Sequence, residues 1–289
     1  RTGLRRLMEL IDYYGSNTYQ AMLERLNDYA HLLAQESLKR VPDGQYSYQD
    51  QLDDDGAGTQ NIPICAAITV NQGRVCVDFS GTSTQVAGNV NCPLSVAAAA
   101  VFYVFRCLMP EHTPACAGAF RSIELKAEPG SLLNACYPAA VAAGNVETST
   151  RVVDVVLGAL AQAIPERIPA ASHGSMNNVA MGAIESDGSR WDYYETMGGG
   201  MGASAAGNGL RAVQTHMTNT LNTPVESLEL HYPVHVTRYE IRRGSGGDGV
   251  YRGGDGLLRE LRFNKPATVT LLTERRCSKP WGLNGGDSG

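Results

Sequence analysis

Glycine accounts for 32 of the 289 residues and is spread unevenly, crowding into residues 198–209, 244–256 and 282–289. Glycine at that density breaks helices and supplies tight turns and close approaches of backbone. An all-helical bundle is therefore excluded, and loops must carry much of the architecture. Over its whole length the chain is 43% apolar and 18% charged, which excludes disorder and coiled coil. A formal charge of −5 at pH 7 gives no general attraction to nucleic acid or anionic lipid.

Four lysines occur, Lys39, Lys126, Lys265 and Lys279, and none follows a glycine. The phosphate-cradling loop GxxxxGK[ST] is thus absent, so any use of ATP does not run through a P-loop in this chain. The longest apolar run, residues 96–105, is too short to span a bilayer. The chain opens Arg1-Thr2-Gly3 and closes on Asn284-Gly285-Gly286-Asp287-Ser288-Gly289, which reads as a piece of a longer protein. Seven cysteines, an odd count with no CxxC spacing and mostly apolar neighbours, predict reduced thiols in a cytoplasmic setting.

Hydrophobic periodicity predicts helices near residues 4–14, 17–40, 93–108 and 148–164, with Gly15 stopping the first. Strands are expected at 45–52, 62–70 and 74–79, the last two joined by an Asn71-Gln72-Gly73 hairpin turn. Further strands are expected at 123–127, 191–197, 225–230, 234–242, 257–263 and 268–272, and residues 210–218 are compatible with a helix. Helices lead and strands finish, so the expected class is α+β. It divides into a helical hairpin at 1–44, a mixed α/β core at 45–197 and a glycine loop with a β-rich segment at 198–289, parts of one continuous domain.

Several chemical signatures fail on inspection. Gly244-Ser245-Gly246-Gly247-Asp248-Gly249 fits GxGxxG, but Val250-Tyr251-Arg252-Gly253-Gly254 cannot start the helix a dinucleotide site needs. Asp53, Asp55 and Gly56 echo a calcium loop, yet Gln51 and Ile62 occupy its first and last ligand positions. Asp287-Ser288-Gly289 resembles a serine nucleophile loop, but a triad also needs a histidine and an acid that only geometry can test, and a loop at a truncated end is the better reading. His231 and His235 are read as sharing a strand, where residues four apart lie about 13 Å apart, too far for one metal. Residues 198–203 follow a strand, and two readings stay open. Their amides form an anion nest, or they turn a corner where backbones pack closely. Three polar clusters remain, around residues 78–85, around Glu195, and from His216 to Glu226, and each is either solvated loop or a means of orienting a polar substrate.

Taken in order, Asp78-Phe79-Ser80-Gly81-Thr82-Ser83 with Gln85 and Asn91, Gly144-Asn145-Val146-Glu147-Thr148, and Tyr194-Glu195 running into Gly198-Gly199-Gly200 form a recognisable series. His216-Met217-Thr218-Asn219-Thr220, Asn222-Thr223-Pro224-Val225-Glu226, Tyr251-Arg252-Gly253-Gly254-Asp255-Gly256 and Pro280-Trp281-Gly282-Leu283 complete it. The series resembles the hydantoinase B/oxoprolinase family across the whole chain, although Leu221 stands where that family has an arginine and Asn208 where it has an aspartate.

The resemblance implies a cytoplasmic, ATP-dependent enzyme that opens 5-oxoproline, hydantoins or related cyclic amides. ATP and Mg would enter through a hydantoinase A-type ATPase partner within a heterotetramer that also pairs copies of this component. It also implies a component about twice this length. The family's metal-binding histidines and aspartates, and any divalent metal, would lie in the other half, with no metal ligand in this chain. An unactivated amide resists water, whereas phosphorylation of its oxygen gives an imidate-like carbon that water can attack, given a base and fixed dipoles. Glu195, His216 and Glu226 are the candidates for proton transfer. Ser80, Thr82, Gln85, Asn91, Gly199, Gly200 and Asn219 are the candidates for binding substrate. Relatives that carboxylate ketones provide one alternative, and a non-catalytic module that docks onto the partner provides another.

Overall fold

The computed structural model describes residues 1–289. Two helices open it, α1 (Thr2–Tyr14) and α2 (Ser16–Leu38). Gly15 joins them at φ 79°, a left-handed conformation that only glycine adopts cheaply, and its amide donates to the Ile11 carbonyl at 2.8 Å. α1 buries none of its residues, and Leu4, Leu7, Met8 and Leu10 are all exposed. α2 docks only through its second half, where Ala30, Ala34, Ser37 and Leu38 are buried. Just before them the Asn27 side chain accepts a hydrogen bond from the Gly118 amide at 2.7 Å. A Cβ at Gly118 would sit 2.0 Å from the Asn27 carbonyl, so glycine alone allows that approach.

The main sheet runs in the order β1 (Gly44–Asp54), β2 (Gln60–Asn71), β3 (Arg74–Asp78), β4 (Ile123–Lys126). The first three strands are antiparallel, and β4 returns parallel to β3 after a crossover through helix α3 (Leu94–Cys107). The expected hairpin turn is present, with Gln72 at φ 49° and Gly73 at φ 76°, the paired positive values that suit the twist of the strands. Along β2, Ile62, Ile64, Ala66, Ile68 and Val70 all point to one buried face. That face packs under α3 and α4 (Ser149–Leu160) in a single large core. α4 is buried on every side, including Arg151 and Asp154, and a single π-helical turn at Gly144–Thr148 leads into it.

The second half adds an antiparallel sheet in the order β6 (Arg190–Thr196), β5 (Asn178–Ile184), β9 (Thr268–Leu272). Beside it lies the ribbon of β7 (Val234–Arg242) and β8 (Gly256–Phe263). The class is α+β. Three local expectations are corrected. Residues 225–230 are not a strand but helix α5 (Val225–His231). Its Pro224 cap and Glu226 in the first turn favour a helix start, and Leu228 anchors it in a small core with Met181 and Val234. His231 therefore ends a helix, and only His235 lies on a strand. Residues 210–218 are irregular instead of helical, and β5 stands where the sequence predicts no strand. All seven cysteines are unpaired.

Candidate functional site

A cavity of about 650 Å³ opens in the second half, within the range of small-molecule sites. Its walls come from four stretches distant in sequence: residues 170–177, the glycine loop after β6, the β7–β8 connection, and the chain end after β9.

The glycine loop is a wall made of main chain. Gly199 and Val213 exchange both backbone hydrogen bonds, at 2.9 and 2.8 Å. The amide of Met201 donates to Leu210, that of Gly254 donates to Met201, and the Gly202 amide reaches the Ser172 hydroxyl. A Cβ at Gly200 would lie 2.0 Å from the Gly254 carbonyl, and one at Gly202 would lie 1.8 Å from the Ala170 carbonyl. Of the two readings open for this loop, close packing of backbones is the one the geometry displays.

The nests that do form are filled by the protein's own carboxylates. Asp255 accepts from the amides of Gly244, Ser245 and Gly246 at 3.0–3.2 Å, and the Gly246 bond is the foremost influence holding its carboxyl below the usual range. The GxGxxG segment is thus wrapped around an internal anion. Asp53 accepts from the amides of Arg276, Cys277 and Ser278, pinning the chain end to β1. Burial pushes Asp55 upward, but the amides of Ala57, Gly88 and Thr59 outweigh it and hold the carboxyl at about 2.

Beneath the cavity lies a buried ionic cluster. Arg275 reaches Asp154 at 2.7 Å and Asp50 at 2.9 Å. Arg151, with a fully buried side chain, reaches Asp50 at 3.3 Å, Glu274 at 3.4 Å and the Gln51 carbonyl at 2.5 Å. His216 stands 3.7 Å from Asp154 and 3.5 Å from the Tyr103 hydroxyl, and His173 lies against the Gly200 carbonyl at 3.3 Å. Burial lowers both imidazoles, favouring their neutral forms.

Glu147 is fully buried behind the same region. One oxygen accepts from the Met176 amide and the Asn178 side chain, both at 3.3 Å, and the other has no partner. Burial raises its carboxyl to about 7, and burial likewise raises Glu274 to about 7. A carboxyl whose folded pKa is raised contributes stability that is fully present below about 4.5 and is lost as pH climbs through about 7. Glu147→Gln, the neutral isostere, should therefore leave the melting temperature near pH 5 unchanged. Near pH 8 it should raise it by a few degrees. Equal shifts at both pH values in a thermal melt would show that Glu147 does not ionise in the fold.

Of the ten residues proposed from the sequence for proton transfer or substrate binding, only Gly199 and Gly200 line the cavity, whose walls also include much of the glycine-rich motifs at 246–254 and 280–283. Glu195 is buried at the end of β6, where it accepts the Thr223 amide at 2.6 Å and pairs with Arg259. Glu226 is exposed on α5, and Asn219 lies in irregular chain before it. Ser80 donates its amide and hydroxyl to the Asp78 carboxylate, which caps the turn, and Thr82 ties that turn to Cys65. The Gln85 side chain accepts the Cys136 amide. Asn91, wholly buried, makes four hydrogen bonds to the backbone of Val86, Gly88 and Ala140. Sequence reasoning misses His173, Arg242 and Arg276, and gives Glu147 no role beyond its place in the family series. For His173 a signal exists, since Ser172-His173-Gly174-Ser175 begins a short polar stretch directly after the apolar Ile168-Pro169-Ala170-Ala171. No three His, Cys, Asp or Glu side chains converge as a metal site. No helix is long and apolar enough to cross a membrane.

5-Oxoprolinase 1 of Arabidopsis thaliana is 40% identical over 301 residues, covering 99% of this chain and 23% of that protein. The putative B component of a D-/L-hydantoinase from Pseudomonas sp. (strain NS671) is 32% identical, covering 100% of this chain and 50% of that one. The chain thus spans half or less of the length of these relatives. Among solved structures, the ATP-dependent caprolactamase from Pseudomonas jessenii superposes with a TM-score of 0.81 at 29% identity, over 93% of this chain and 47% of the other. Nucleotide-free acetone carboxylase gives 0.84 at 20% identity over 98% of this chain and 41% of the other, a likeness of fold. The profile described as Hydantoinase B/oxoprolinase matches residues 1–289. With similarity running the full length of the chain in sequence and in fold, the chain belongs to the hydantoinase B/oxoprolinase family.

Proposed function

We propose that this chain forms part of the B-type component of an ATP-dependent cyclic-amide hydrolase of the 5-oxoprolinase or N-methylhydantoinase kind. It acts on a substrate whose carbonyl oxygen a partner ATPase has phosphorylated. The observation that carries this reading is the 40% identity to a 5-oxoprolinase across almost the whole chain. The ATP-dependent caprolactamase, also named for a cyclic amide, supports it. ATP and Mg enter through the hydantoinase A-type partner, in keeping with the naming of one relative as a single component of a hydantoinase, and the assembly is a cytoplasmic hetero-oligomer. The contribution of this chain is a walled cavity that holds a ligand, backed by a neutralised charge cluster. A carboxylase role is the second reading, favoured by the shared fold with acetone carboxylase.

The test combines the chain with the remainder of a B-type component and an A-type ATPase, then measures ATP-dependent ring opening of 5-oxoproline, hydantoins and lactams. Turnover is expected only from the combination. Turnover by this chain alone would refute the assignment. Incorporation of labelled bicarbonate into a ketone without ring opening would favour the carboxylase. An inactive combination that assembles fully would leave a docking module.

A further inference from the structure

The cavity wall contains two guanidinium groups that no carboxylate neutralises. Four arginines, Arg242, Arg259, Arg275 and Arg276, line it. Arg259 pairs with Glu195, and Arg275 pairs with Asp50 and Asp154. Of the lining carboxylates, Asp248 is engaged by Arg252 and Glu274 by Arg151, leaving Asp287. Arg242 and Arg276, both exposed at the rim of the cavity, make no ion pair. Arg242 ends β7 at the mouth of the β7–β8 connection.

Arg276 is held in place all the same. Its backbone amide is fixed by Asp53 at 2.5 Å. Its Nε donates to the Thr273 hydroxyl at 3.3 Å, and one Nη2 hydrogen goes to the Asn177 side chain at 2.5 Å. Asn177 itself lines the cavity and sits at φ 48°, with its amide tied to the Ser175 hydroxyl at 3.0 Å. A guanidinium carries five N–H donors, so fixing two of them orients the plane and leaves three for a ligand. Such a fork, already ordered, loses little entropy when it takes a planar or tetrahedral oxyanion.

We propose that the cavity is a binding site for a small molecule carrying an oxyanion, phosphoryl or carboxylate, with Arg276 as the anchoring residue, Arg242 as a second contact and Asn177 as the residue that positions Arg276. The volume, about 650 Å³, admits a single ring with an attached phosphoryl group. Such a site gives the proposed reaction a locus for its anionic species but does not require that reaction. Anion binding by the chain in a complex that opens no lactam would uphold this site and remove the hydrolase reading.

The test is equilibrium binding to the protein of three probes: inorganic phosphate, 5-oxoproline as a lactam with a carboxylate, and 2-pyrrolidinone as the same ring without one. Phosphate, 5-oxoproline or both should bind, which identifies the group preferred, and 2-pyrrolidinone should bind at least tenfold more weakly than the better of them. Arg276→Gln should weaken oxyanion binding at least tenfold, and Arg242→Gln and Asn177→Ala severalfold. Arg190→Gln, a change at an exposed arginine outside the cavity, should leave it unaltered. If Arg276→Gln does not fold, Arg276→Lys decides, because it keeps the charge and loses the fork, and binding should still weaken severalfold. Equal affinity in the wild type and the folded Arg276 variant, 2-pyrrolidinone binding as tightly as the better of phosphate and 5-oxoproline, or binding of no probe would overturn the site.

Discussion

Arg151→Met is expected to cost the fold about 3–5 kcal/mol, the usual penalty for removing one member of a buried ionic group. Arg151 is wholly enclosed in α4 and stands between Asp50 and Glu274. With Arg275 it balances Asp50 and Asp154, while burial keeps Glu274 able to hold its proton up to about 7. Methionine fills similar volume but leaves this balance one positive charge short in a place water does not reach. The Gln51 carbonyl also loses its donor. Urea unfolding should show a lower midpoint with an unchanged slope. Adding Asp50→Asn to Arg151→Met should recover part of the loss, because one uncompensated charge is then gone. A loss below about 1 kcal/mol would show that water reaches the cluster and screens it.

Gly202→Ala should be comparably damaging for a different reason. Its methyl group would lie 1.8 Å from the Ala170 carbonyl, a main-chain atom that no side-chain rotation can move away. Overpacking of side chains typically costs about 1–3 kcal/mol. With backbone on both sides, about 3 kcal/mol or more is expected, along with a distorted cavity. Gly3→Ala is the control: its Cβ meets nothing within 4 Å, and it lies in α1, so stability should hold or rise slightly. If Gly202→Ala melts like Gly3→Ala, the close approach is not present in solution.

Periodicity makes the first half legible. The alternation of Ile62, Ile64, Ala66, Ile68 and Val70 is a strand signal strong enough to survive any context, and the apolar spacing of 148–164 marks a buried helix. β5 escapes because its two β-branched residues, Val179 and Ile184, are separated by Ala180-Met181-Gly182-Ala183, which carries no strand signal. α5 misleads because Val225, Leu228 and Leu230 look strand-like while the helix-starting Pro224 and Glu226 carry little weight over so short a span. The cavity is hidden for a topological reason. Arg275 and Asp50 are 225 residues apart, and Arg276 meets Asn177 across 99. Glycine spacing announces that something approaches closely, but not which backbone. Glu195 reads as a free acid before a flexible loop, and its partner Arg259, 64 residues on, is what no local pattern can supply.

A wall of peptide backbone also shapes how such a cavity can change over generations. Ordinary pockets are retuned by swapping side chains, each of which brings its own shape and rotamers. Along Gly200, Gly202, Gly246 and Gly254 the smallest swap meets a carbonyl at about 2 Å, so this surface is closed to gradual variation. It also has no rotamers to freeze when a ligand arrives, and it presents one fixed contour to every ligand. Differences in what members of the family accept must then be written in the few side chains set around that frame, such as His173, Arg242, Tyr251, Arg276 and Trp281, or by lengthening the turns between the packed segments.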